Sequence, residues 1–190
     1  MTHRPFSFGS FLTTLLSTLL LLTFVGGTSA AQAASAREID IKVNDALKRF
    51  KKTVGGASEF LDSAKGVLVF PEVIKAGIGI GGEYGEGALL VGGKTVDYYN
   101  TAAASIGFQL GAQMKTVIIV FLQKSALDRF RNSDGWEAGV DGSVAFATLG
   151  AGASIDSTSL NKPIVGFVFG NKGLMYNLTF EGSKYSRLDK

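Results

Sequence analysis

Apolar residues recur at helical spacing between Arg37 and Val54. Ile39, Val43, Ala46, Leu47, Phe50 and Val54 fall within a stripe about 100° wide when each residue advances roughly 100°. This predicts an amphipathic helix, stopped by Gly55-Gly56. Lys42 and Arg49 flank one edge of the stripe and Lys51 the other, while Lys48 and Lys52 lie on the far face. A second short helix is expected over Ala57 to Ser63, carrying Phe60 and Leu61.

After Lys65 the pattern changes to that of strands. Ile106, Phe108, Leu110, Ala112 and Met114 alternate with Gly107, Gln109, Gly111 and Gln113, a period of two that puts apolar residues on one face. Trp136, Ala138, Val140, Gly142, Val144 and Phe146 repeat it. Thr116 to Leu122, TVIIVFL, is apolar throughout and suits a buried strand. Val165 to Phe169, a Gly170-Asn171-Lys172-Gly173 turn and Leu174 to Phe180 read as a C-terminal hairpin. A short amphipathic helix over Ser125 to Arg131, with Leu127 and Phe130, interrupts the strands. The stretch Ser63 to Val91 reads as an apolar strand, a proline break at Pro71 and a tight glycine-rich hairpin at Gly82 to Gly87.

Strands in a run with helices apart from them define an α+β chain. Small residues on one strand face allow strong curvature or close approach of another layer. The expected core is therefore a curved, mainly antiparallel, Gly-rich sheet, barrel-like, with an N-terminal amphipathic helix and short additional helices. With no repeat or linker, one domain is the simplest organisation.

The first residues belong to a different regime. Arg4 precedes a nearly uninterrupted apolar run, Phe11 to Val25, and then small residues including Ala31-Gln32-Ala33 and Ala34-Ser35-Ala36. This is the pattern of a secretory signal peptide over residues 1–33, with cleavage after Ala33 or nearby, leaving a domain at 34–190. The alternative, an uncleaved anchor, has an apolar run shorter than the roughly 20 residues that span a bilayer. The chain has no cysteine, so neither a lipidated cysteine nor the disulfides of many exported proteins enter the account. Export points to the periplasm or cell envelope.

Composition narrows the chemistry further. The single histidine, His3, lies in the leader, so residues 34–190 hold neither His nor Cys. That removes the common nucleophilic triads and nitrogen- or sulfur-ligated zinc. Gly77-x-Gly79-x-x-Gly82 has the letters of a dinucleotide fingerprint, but a strand and the acids Glu83 and Glu86 follow it rather than a helix N-terminus. Gly92-Gly93-Lys94-Thr95 resembles the end of a phosphate loop, yet Ala88 stands where the required glycine would be, and a lysine in a hairpin turn explains it better. Carboxylate pairs, Glu83 with Glu86 or Asp134 with Glu137 and Asp141, are read as solvated acids of turns and polar strand faces. No catalytic residue, metal ligand or cofactor site is assigned. A net charge of +3 gives no case for nucleic acid. The basic helix leaves two arrangements open: flat on an anionic membrane, lysine stems snorkelling to head groups, or docked on the sheet with charges in water. The residues by themselves favour the second.

Several motifs occur together and in order. They are Ala64-Lys65-Gly66, Lys75-Ala76-Gly77 with Gly82-x-x-Gly85-x-Gly87, Gly107 and Gly111 before the Val117 to Leu122 strand, and Asn171-Lys172-Gly173-Leu174 followed by Glu181-Gly182. In this combination the chain resembles the SYLF-domain family from Arg37 to Leu188, although Thr95 to Asn100 lacks a proline turn common in that family. The resemblance implies a non-enzymatic domain that binds phospholipids, peripheral to an anionic membrane surface. Lys48, Arg49, Lys51 and Lys52 are then the expected head-group contacts and Phe50 the apolar contact. Lys65 and Lys75, which match lysines of the family pattern, are weaker candidates. The actin connection of eukaryotic relatives does not carry over to a bacterial envelope. A scaffold or protein-interaction role without direct lipid binding is the alternative. Two other classes, a small outer-membrane barrel and a carboxylate or metal-dependent enzyme, are disfavoured by the charged Leu188-Asp189-Lys190 end and by the missing His and Cys.

Overall fold

The computed structural model describes residues 34–149, 154–155, 161–173 and 182–190, with the backbone alone for 78–79 and 105–110. The leader expected over 1–33, the second arm of the C-terminal hairpin at 174–180, and Glu181 lie outside these residues. Helix α1 (Ala36–Thr53) is capped by Ser35, whose Oγ accepts the Glu38 N–H at 3.2 Å, satisfying one of the donors that a helix start leaves unpaired. Glu38 in its first turn and Lys51 and Lys52 in its last complement the helix dipole. The chain turns at Gly56, where φ is +76°, into α2 (Ala57–Asp62).

Two long strands follow, β1 (Gly66–Val91) and β2 (Lys94–Phe121), paired antiparallel from Gly66 with Phe121 to Val91 with Lys94. They are joined by Gly92-Gly93, with φ of +58° and +77°. Positive φ at both central positions is the type I′ hairpin turn, which glycine enters without a Cβ penalty. Lys94 thus belongs to a hairpin turn, as expected, whereas Gly82 to Gly87 does not: those residues run inside β1. Pro71 does not break the strand either. The register shifts between Phe70 and Val73, a bulge that accommodates a residue with no N–H for the ladder, and Thr116 Oγ1 donates to the Pro71 carbonyl at 2.8 Å.

The glycines of β1 fold the hairpin over on itself. A Cβ on Gly77 would stand 2.3 Å from the Gly81 Cα, one on Gly85 2.8 Å from the Glu72 carbonyl oxygen, and one on Gly87 2.0 Å from that of Val69. The two arms of β1 therefore approach backbone to backbone, which no larger residue permits. Opposite the bend, Gly111 pairs with Gly77 at a φ of +135°.

In chain order α3 (Lys124–Arg131), β3 (Trp136–Glu137), β4 (Ala145–Thr148), β5 (Ile164–Gly173) and β6 (Lys184–Leu188) complete the described elements. The free edge of β2 is shared: residues 113–121 pair with β5 and 98–102 with β6, both antiparallel. β3 extends β6, and β4 lies parallel to β5. The result is the α+β architecture expected, a curled, mainly antiparallel sheet with an N-terminal helix and short further ones. Two further details differ from what the sequence predicts. Gly170 to Gly173 is no turn; β5 continues through it beside Gln113 and Met114, with a register shift and a φ of +67° at Gly170. Trp136 to Phe146 is no single strand, because the Glu137 N–H bonds the Asp141 carboxylate at 2.6 Å and Gly139 turns the chain at φ +90°.

Both faces of the β1–β2–β5 region are buried. Leu68, Phe70, Val117, Ile119 and Phe121 pack inside the curl with Phe130 of α3, Trp136 and Tyr185. Val69, Ile118, Val120, Val165, Phe167 and Phe169 pack against Ile39, Val43, Ala46 and Phe50 of α1. This double burial is why TVIIVF carries no alternation.

Candidate functional site

Helix α1 lies docked. Phe50 is fully buried, its ring centroid 5.3 Å from those of both Phe167 and Phe169. The apolar contact expected of Phe50 is thus made to the sheet, because the stripe that could have met lipid is the one that covers Val69, Ile118 and Val120. Burying such an aromatic stabilises the docked state by roughly 1.5–3 kcal/mol relative to exposing it.

Docking orients the cations outward. Lys48, Arg49, Lys51 and Lys52 are all exposed. Lys48 Nζ stands 3.5 Å from Asp45; Arg49, Lys51 and Lys52 have no ion-pair partner among the described residues. Lys42 is engaged instead, 3.0 Å from both Glu38 and Glu72. Hydrogen bonds to Glu72 and then Glu38 raise its pKa. The other edge is pinned by Asp40, which accepts from Thr95 Oγ1 at 2.8 Å and Tyr98 OH at 3.0 Å.

Two hollows border this helix. One, of about 450 Å³, is lined by Lys42, Asp45, Lys48, Arg49, Pro71 and Glu72. The other, of about 340 Å³, brings Leu47, Lys51, Leu61 and Asp62 together with Val67, Leu90 and the Gly92-Gly93 turn. Lys65 is exposed at the start of β1, where its N–H donates to the Phe121 carbonyl.

Lys75 is placed differently. It is buried inside the curl, as are Lys115 and Glu83, whose Nζ and Oε2 atoms are 2.8 Å apart. Lys75 is therefore no surface contact, since alternation along β1 turns it inward while Ile74 and Ala76 face out. Glu83, read from sequence as a solvated acid, is likewise interior. Burial lowers the Lys115 pKa, with the Glu83 charge opposing it. Gln113 Oε1 is buried with no hydrogen-bond partner among the described residues. Among the described residues there is no cluster of three or more His, Cys, Asp or Glu side chains suited to a metal. The glycines of the dinucleotide-like motif lie within β1, with no helix start after them.

Residues 102–190 match the family model described as Ysc84, Las17-binding protein actin regulator, the SYLF family that the motifs resemble. That family consists of binding domains connected with lipids and actin regulation. The matched stretch takes in most of β2 and everything after it; α1 and the Ala64 to Gly87 motifs precede it. No curated protein matches the chain. No helix among the described residues is long and apolar enough to cross a membrane.

Proposed function

We propose that the chain is a non-enzymatic phospholipid-binding protein of the bacterial cell envelope. In this reading residues 34–190 form the working domain, and α1 rests peripherally on anionic membrane surfaces. The observation that carries the reading is the state of α1: its stripe is satisfied by the sheet while Lys48, Arg49, Lys51 and Lys52 crowd its last turn and a half, facing solvent. Cations near an anionic leaflet contribute about 1 kcal/mol each, and the attraction falls off within a Debye length of about 8–10 Å. Binding is then electrostatic and reversible, with Phe50 serving as the anchor that holds the helix to the sheet.

The test is vesicle co-sedimentation of the full chain against a Lys48→Glu, Arg49→Glu, Lys51→Glu, Lys52→Glu variant with the same N-terminal segment. Folding of both is checked by near-UV circular dichroism. The reading expects stronger binding to phosphatidylglycerol than to phosphatidylcholine vesicles, weakened by salt and lost selectively in the variant. Equal binding of both proteins to both vesicles would refute it.

A further inference from the structure

The bent part of the β1–β2 hairpin is built inside out. Its interior face carries Lys75, Glu83, Thr101, Gln113 and Lys115, all buried. Its exterior face carries Ile80 at 73 % exposure, Ile74 at 51 %, Tyr84 at 49 % and Met114 at 38 %. Ile74 pairs directly with Met114, and Ala76 with Ala112, so these four side chains adjoin, and Ile80 and Tyr84 follow on the other side of the bend. Every described exterior residue of β1 from Ile74 to Tyr84 is uncharged, as are Ala102, Ala104, Ala112 and Met114 opposite. A water-facing sheet alternates the other way, apolar in and polar out; polar in and apolar out is the alternation of strands that face lipid.

We propose that this strip is a second membrane contact, entering the outermost hydrocarbon of an anionic phospholipid bilayer while the cations of α1 hold head groups. The proposal rests on the lipid reading above and extends it from the helix to the sheet. Charge around the strip suits such a surface. The acids at its two ends are already engaged: Glu72 binds Lys42 at 3.0 Å, and Glu86 binds Lys190 at 3.1 Å and accepts from Tyr84 OH at 2.8 Å. The strip is also continuous with the basic helix edge, because Pro71 and Glu72 share a hollow with Lys48 and Arg49, and Ile74 is the next exterior residue of β1. Apolar strip, neutralised border and cations follow one another as hydrocarbon, interface and head groups do in a bilayer. Scattered apolar residues need no explanation, but a face whose described exterior residues are all uncharged while its charges turn inward does.

The chain has no cysteine, so Ile80→Cys gives a unique labelling site for an environment-sensitive fluorophore on the full chain. Parallel labels go at Lys48→Cys and, as a control, at exposed Ser125→Cys. Each protein is titrated with phosphatidylglycerol–phosphatidylcholine vesicles, with and without a nitroxide high on the acyl chain. The expected result is a blue shift and nitroxide quenching at position 80, a response to anionic lipid without deep quenching at 48, and neither at 125. Because the readout is specific to position, attachment through residues 1–33 does not imitate it. An Ile74→Ser, Ile80→Ser variant with an unchanged near-UV spectrum is expected to lose about tenfold in vesicle affinity. A label at 80 that stays aqueous while 48 responds would overturn this proposal and leave the helix reading standing. Silence at both positions would overturn both. A blue shift at 80 that needs no vesicles and grows with protein concentration would assign the strip to a second copy of the chain, and would also overturn the proposal.

Discussion

At the scale of single residues, the buried pair Glu83–Lys115 is the most consequential. Removing one member of a buried ion pair leaves the other charge uncompensated, at a cost of about 3–5 kcal/mol, whereas replacing both with apolar residues of similar size is often neutral or stabilising. Glu83→Ala is therefore expected to lower the unfolding free energy in urea denaturation by up to about that amount, and Glu83→Leu with Lys115→Met to recover part of it, buried Lys75 remaining beside the site. Equal losses in the two variants would contradict the assignment. Ionisation adds a second expectation. Tyr84 has its phenol pushed from 10.0 up to about 12 by desolvation and by the Glu86 hydrogen bond. Tyr98, Tyr99 and Tyr185 are raised too, chiefly by burial. A raised folded-state pKa means that the folded chain holds its proton more tightly, so this stability is complete below pH 10 and lost above it. Lys42, also raised, acts in the same sense; Lys115, lowered by burial, acts in the opposite one. Melting temperature is thus expected to fall as pH climbs from 10 to 12, and to fall less in Tyr84→Phe. The inward placement of Glu83 and Lys75 was not legible in the sequence. A charged residue at an alternating strand position looks solvated until the sheet is known to close over it.

At the scale of elements, α1 separates stability from function. Phe50→Ala removes a fully buried ring from between Phe167 and Phe169 and is expected to cost about 3–5 kcal/mol, read in thermal or urea unfolding. Charge reversal at Lys48, Arg49, Lys51 and Lys52 is expected to move stability by no more than about 1 kcal/mol, since exposed charges contribute little. The bend of β1 makes a further contrast. A Cβ at Gly87 would meet the Val69 carbonyl oxygen at 2.0 Å, whereas one at Gly82 finds only the Ala103 oxygen, at 4.0 Å. Gly87→Ala is expected to destabilise by at least about 2 kcal/mol and Gly82→Ala far less. Comparable melting curves would contradict the close approach. Helix α1 and the buried strand at Thr116 to Phe121 could be read directly, because local periodicity encodes a helix stripe and an unbroken apolar run encodes burial on both faces. The fold-over at Gly77 could not be. Glycine is equally suited to a turn, a bulge or a close crossing, and which one occurs depends on what lies across the sheet. The same ambiguity placed a turn at Gly170 to Gly173, where β5 instead runs on beside β2.

At the scale of the whole molecule, the curl sorts the described residues of 34–190 into an apolar core at the α3 end, a charged interior toward the bend, and an exterior that includes the docked basic helix and the uncharged strip. The basic residues of the candidate site were legible because charge clustering is local. Their availability was not, since it depends on where the apolar stripe goes, and the sheet takes it. The central claim is that α1 meets anionic lipid while still docked. Hydrogen–deuterium exchange of the full chain, free and bound to phosphatidylglycerol vesicles, tests this most directly. The account predicts that amides from Ile39 to Phe50 keep or increase their protection on binding, with Phe167 and Phe169 unchanged. Loss of protection in α1 together with exposure around Phe167 would show that the helix lifts off to insert. Failure of the vesicles to bind the protein at all would contradict the lipid function itself.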